Sequence, residues 1–178
     1  MDPFSLLISL SRYYDLVIFG LKSIFDYGLV REPENALTKF VREGVRPILA
    51  IGKDFEPMKR VLIAYSGSMH SAKAMKHFVQ LRLWPHMKIK IIVLGKSKKD
   101  AQDLLRGASE YCKNHGLRTE LEHVPASGKE QLIKQAKKWN ADLIVMGNSM
   151  RNLFLRQTLG DIALHTIQHS NKTLFLSQ

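Results

Sequence analysis

The sequence predicts an α/β protein built on a doubly wound, parallel sheet, and three observations predict it. Short apolar runs alternate with amphipathic stretches along the chain, the pattern of parallel strands joined by helical crossovers. The run Leu143 to Met146 has no polar face and stops at Gly147, as a strand covered by helices on both sides requires. A second apolar run, Arg60 to Tyr65, ends in the turn SGSMHS and passes directly into a helical pattern. That is a β-turn-α unit.

Taken in order, Asp2 and Pro3 supply an N-cap and a first-turn residue for an opening helix. A strand follows at 15–20, then a helix from about Pro33 to Arg42 closed by Gly44, and a strand at 46–51. Gly52 to Pro57 reads as a linker. After the strand at 60–65, Ala72, Met75, Phe78 and Val79 mark the apolar face of a helix that ends before Pro85. Ile89 to Leu94 is the next strand, followed by a helix from about Asp100 to Asn114 that closes on Gly116. Leu117 to Val124 alternates like a half-buried strand, and Gly128 to Asn140 is amphipathic through Leu132, Ile133, Ala136 and Trp139. Beyond the central strand, Gly160 opens a helix to about His169, and Thr173 to Leu176 is the last strand.

The chain also resembles itself. Asp15 to Gly20 is DLVIFG and Asp142 to Gly147 is DLIVMG, an offset of 127 residues, and RPILAI at 46–51 falls close to KTLFLS at 172–177. Residues 1–57 therefore read as an incomplete copy of the unit that is complete in 58–178. Only helix, strand, helix and strand survive in the first copy. So small a piece has too little core to stand alone, and it is expected to pack on the second copy by pairing strand 46–51 antiparallel with strand 173–176.

Composition narrows the setting. The single cysteine, Cys112, excludes an internal disulfide framework and suits a reducing, cytoplasmic compartment. The apolar stretch Phe4 to Leu10 is too short to span a bilayer and follows Asp2 rather than basic residues, so neither a signal peptide nor a membrane partner is expected. Net charge is +11, made of −1 over residues 1–57 and +12 over 58–178. A surplus so placed attracts phosphates. Few aromatic residues interleave with the lysines, which makes a basic nucleic-acid-binding module the weakest of the readings.

From the β-turn-α unit at 60–71, the DLIVMG strand, the glycine thirteen residues beyond it and the short last strand, residues 60–178 resemble the universal stress protein family. The half copy before them looks like the tail of a tandem member. The resemblance implies a five-stranded sheet of order 3-2-1-4-5, dimerisation through the last strand and, in part of the family, an ATP site. Nucleotide-binding members carry Gly, two residues, Gly, nine residues, Gly and then Ser or Thr after the fourth strand. Gly147 and Gly160 match the first and third glycines, Met150 stands at the second, and Asp161 replaces the Ser or Thr. Ser66 stands where an aspartate commonly ends the first strand.

On that pattern the candidate adenine-nucleotide residues are Ser66, Gly67 and Ser68 in the first turn, with Met146, Gly147 and Asn148 at the end of the central strand. Met150, Arg151, Arg156, Gly160 and Asp161 complete them from the loop beyond. A methionine at 150 fills space that a glycine leaves to a phosphate. Asp161 caps the helix N–H groups that would hold the phosphate and repels it, while Arg151 and Arg156 can bind it directly. The expected result is a binding or regulatory module with a weakened ATP-type cleft. An enzyme reading stays open, because SGSMHS also resembles the SGGxDS loop of PP-loop ATP pyrophosphatases, with Ser68 at the second glycine and His70 at the aspartate. His165 and His169 share a helix face but lack a third ligand, so no metal is expected. Cys112 reads as packing rather than nucleophile.

Overall fold

The computed structural model describes residues 3–20, 46–52, 57–147, 165, 166, 169, 170 and 172–177. Seven strands form one sheet: β1 (Val17–Gly20), β2 (Ile48–Ile51), β3 (Arg60–Ala64), β4 (Lys88–Leu94), β5 (Thr119–Val124), β6 (Leu143–Gly147) and β7 (Thr173–Ser177). Their order is β1-β2-β7-β6-β3-β4-β5. The last five strands thus follow the expected 3-2-1-4-5 order. Every contact is parallel except β2 against β7, where Ile48, Leu49 and Ala50 lie opposite Leu176, Phe175 and Leu174. The antiparallel join expected from the two short terminal strands is present. The expected helix at 33–42 and the one opening at Gly160 lie, apart from a few residues near 165–170, outside the described residues.

Four α-helices are described, α1 (Pro3–Leu10), α2 (Met69–Leu81), α3 (Lys98–Asn114) and α4 (Lys129–Lys138), with a 3-10 helix at Ser11–Tyr13 after the first. Helix α3 begins at Lys98, two residues before the sequence-based start. Ser97 explains it, because its Oγ accepts the Asp100 N–H at 3.2 Å. Helix α2 ends where Arg82 turns left-handed at φ 45°, and α4 ends at Lys138, with the Trp139 N–H still bonded to Gln135 O.

Alternation along the strands divides the core into two layers. On one face Val61, Ile63, Leu143, Val145 and Phe175 pack against Met75 and Phe78 of α2 and Leu105 and Ala108 of α3. On the other face Leu62, Ile144, Met146 and Leu174 meet Leu132 and Ala136 of α4. Both layers run on across the antiparallel join, through Leu49 in the first and Ile48 and Ala50 in the second. Phe175, fully buried, meets the Phe78 ring edge-on at 5.6 Å, a geometry that adds about 1 kcal/mol to the burial itself.

At the sheet's centre the register is held by one carboxylate. Asp142 Oδ2 accepts the N–H groups of Lys59 and Arg60, each at 2.9 Å, while its own N–H donates to Arg60 O. Arg60 in turn donates from Nη1 to Trp139 O. The start of β3 is therefore locked to the start of β6. Over β7, His77 of α2 bonds Ser177 through Nδ1 at 2.7 Å. Burial first, then the charges of Lys73 and Arg46, hold its imidazole below the usual 6.5.

Two measurements test this framework. Asp142→Ala removes an acceptor shared by two backbone donors and should lower unfolding free energy by about 1–3 kcal/mol, seen as a lower urea midpoint at unchanged m. Asp15, which opens the similar stretch DLVIFG, is exposed and makes no hydrogen bond among the described residues; Asp15→Ala should stay within about 0.5 kcal/mol. For His77 the depressed pKa fixes the sign. Below pH 6.5 the unfolded chain takes up its proton before the folded one, so stability falls as pH drops from 6.5 toward the folded value. His77→Gln should reduce that acid-side loss in urea titrations run from pH 8 to 5 and change nothing at the alkaline end.

Candidate functional site

The sheet reverses its winding between β3 and β6: from β3 the chain proceeds outward to β4, and β6 lies on β3's other side. In open α/β sheets the crevice beyond the carboxyl ends at this point is where ligands sit. Ala64 and Met146 are register partners here, so the turn after β3 and the end of β6 face each other.

Serine chemistry shapes the turn. Gly67 takes φ +78°, so the backbone demands glycine there. Ser68 caps α2, its Oγ accepting the Ser71 N–H at 3.2 Å. The hydroxyls of Ser66, Ser68 and Ser71 form a triangle with sides of 3.0, 3.2 and 3.3 Å. Ser71 Oγ also donates to Ser68 O and accepts the Ser66 N–H. These hydroxyls mostly satisfy one another, and they hold the turn in shape. The amides of Met69 and His70, at the start of α2, have no hydrogen-bond partner among the described residues, as expected for a helix's first turn.

Gly147 closes the junction from the other side. A Cβ on it would fall 2.3 Å from His70 C and 2.4 Å from both His70 O and Ser71 N. The glycine is needed because β6 ends directly against the backbone of α2, a reason that spacing in the sequence does not show. Beside it sits His70, which sequence reasoning noticed only as a replacement for an aspartate. Its Nδ1 is the one buried side-chain nitrogen or oxygen without a partner among the described residues. An unsatisfied buried group of this kind costs roughly 1–3 kcal/mol. A polar group that reached this nitrogen would remove that cost.

The structure brings Ser66, Gly67, Ser68 and Gly147 together at this edge. Met146 is 4% exposed and packs in the core beside Leu132, which leaves only its backbone to the cleft. Asn148, Met150, Arg151, Arg156, Gly160 and Asp161 lie outside the described residues. Ser177 is the register partner of Gly147 and bonds His77, whose imidazole is depressed first by burial and then by the charges of Lys73 and Arg46. Above β3, burial raises the Tyr65 phenol's pKa.

Other chemistry-bearing side chains among the described residues have structural roles. Cys112 is fully buried with its thiol pushed up to about 11, a value at which thiolate is scarce at neutral pH. His165 and His169 stack at 4.2 Å, and His169 Nδ1 bonds His165 O. Among the described residues there is no group of three His, Cys, Asp or Glu able to hold a metal, and no helix long and apolar enough to cross a membrane.

Comparison with known proteins agrees with this architecture. The universal stress protein Slr1230 of Synechocystis sp. is 24% identical over 136 residues, 73% of this chain and 47% of its own length. The chain thus spans about half of that relative. A universal stress protein from Archaeoglobus fulgidus superposes with a TM-score of 0.74 at 17% identity, over 99% of this chain and 65% of its own. A universal stress protein solved in complex with cAMP gives 0.59 at 22%, over 69% of this chain and 98% of its own. The universal stress protein family pattern itself matches residues 84–176, just over half of the sequence, and with the sheet order it establishes that this chain belongs to the universal stress protein family.

Proposed function

We propose that the chain is a binding or regulatory module that takes an adenine nucleotide at the carboxyl edge between β3 and β6. The observation that carries this reading is the unpartnered His70 Nδ1 at the junction of Gly147 with the start of α2. Around it stand the unbonded Met69 and His70 amides, the positive end of the α2 dipole, and a chain whose residues 58–178 carry a net +12. A family relative that binds cAMP supports the ligand class. Met150 and Asp161 make the cleft better suited to one phosphate than to three, since the first fills space that a glycine would leave to the phosphates and the second adds a like charge.

In this reading residues 1–57 are a partial copy of the unit completed by 58–178, and the β2–β7 contact is an internal pseudo-dimer. No step of chemistry is assigned. The turn's hydroxyls are bonded to one another, and no base stands within hydrogen-bond reach of them among the described residues.

Calorimetry with AMP and ATP tests the reading. Wild type should bind AMP, and His70→Ala should weaken that binding roughly tenfold, the worth of one buried hydrogen bond, with an unchanged urea midpoint or a higher one. No AMP binding by the wild type, or equal binding by the variant, contradicts it. Met150→Gly combined with Asp161→Ser should strengthen ATP binding by about 1–3 kcal/mol. If the wild type already binds ATP tightly and the double variant no better, Arg151 and Arg156 carry the phosphates instead.

A further inference from the structure

Strands β3, β4 and β5 are parallel neighbours, so all three start at one end of the sheet, and α2, α3 and α4 finish there. Lys59 leads into β3 and Lys88 opens β4. Arg118 leads into β5, and the register carries it opposite Lys88. Arg82 is the C-cap of α2, while Lys113 and Lys137 stand in the last turns of α3 and α4. Scattered along the sequence between positions 59 and 137, these six cations meet only in the fold. All six are exposed, and none stands in an ion pair among the described residues. The carboxylates that the register brings to this end are engaged: Asp142 accepts the Lys59 and Arg60 N–H groups, and Glu120 lies 3.6 Å from Lys90 Nζ. Glu110, just before Lys113 in α3, offsets one of the six charges.

Lysines in the last turns of α3 and α4 answer the negative ends of the helix dipoles. That account does not reach Lys59, Lys88 and Arg118, which lead into strands, where the net dipole is small. Neighbouring strands lie about 5 Å apart, so these three form a short row, flanked by the helix-borne cations on both faces of the sheet. A surface of one sign at this density draws polyanions. We propose that the amino end of β3, β4 and β5 binds the phosphate backbone of duplex nucleic acid. Among the described residues, the exposed large apolar side chains lie within residues 1–57 or at Met69 and Leu121, so this end has nothing to insert into a lipid layer. Trp84, in the turn between α2 and β4, packs against the core and offers no stacking platform for unpaired bases. What the surface offers is charge alone, and a duplex carries one negative charge per about 1.7 Å of its axis. The nucleotide cleft is at the opposite end of the same strands, about 16 Å away over the five residues of β3. The two readings are therefore independent.

The test titrates the full chain into a labelled DNA duplex of mixed sequence and reads anisotropy at low salt and at four times that salt. Six phosphate contacts give a salt slope of about −5, so the fourfold rise should weaken binding about a thousandfold. Lys88→Gln combined with Arg118→Gln removes two contacts, and the same rise should then weaken binding only about a hundredfold. Both residues are exposed, so the urea midpoint should not move. Lys98→Gln combined with Lys99→Gln, at the opposite end of the sheet, should change neither affinity nor slope. The proposal is overturned by absence of binding at low salt, or by equal losses in the two double variants, which would make the attraction one of diffuse net charge. It is overturned as well if vesicles of phosphatidylserine and phosphatidylcholine compete as strongly as unlabelled duplex, or if a single strand binds more tightly than the duplex.

Discussion

The pairing of β3 with β6 is the constraint on which the rest of the structure depends. These two strands came from distant parts of the chain, and their register is fixed by Asp142 gripping the backbone at Lys59 and Arg60. Everything outward follows from it. Helices α2 and α3 must cover one face of the sheet and α4 the other, because β3 and β6 are apolar on both. The reversal of winding at this pair also opens the crevice at its carboxyl end. One carboxylate near the amino ends of the strands thus positions, through the length of the two strands, the glycine and histidine at their carboxyl ends.

At that end, close packing and incomplete polar satisfaction stand side by side. Gly147 lets β6 run into the first turn of α2 with no room for a methyl group. His70 is held in the same place with a buried nitrogen unpaired. Interiors rarely keep such a group without a reason, and in the proposed reading a ligand atom completes it. The N-terminal segment joins the sheet from the far side of β7, and the charge of its Arg46, with that of Lys73, adds to burial in depressing the His77 imidazole.

Much of this was legible in the sequence. The double-faced apolar runs at 60–64 and 143–146 marked the central strands, and the DLVIFG and DLIVMG stretches both lie in strands of the one sheet, β1 and β6. Shortness and apolarity of the strands at 46–51 and 173–176 were enough to anticipate the antiparallel join. Other features depend on atoms far apart in sequence. Nothing near Gly147 shows that its neighbour is the backbone of residue 70, and nothing near His70 shows that its nitrogen is buried without a partner. The difference between Asp142 and Asp15 is likewise invisible, since the two residues sit in almost the same hexapeptide and differ only in whether a strand lies beside them. Met146, expected at the site, points into the core because strand alternation places it on the layer shared with Leu132.

The most direct measurement of the central claim is a titration of the isotope-labelled chain with AMP, followed through its amide and imidazole resonances. The account predicts that the Ser66 to His70 and Gly147 amides and the His70 ring move together on one binding curve, while the Ile18 and Leu121 amides at the two sheet edges stay still. Shifts that leave His70 and Gly147 untouched, or that follow the surface lysines alone and vanish with added salt, would contradict it.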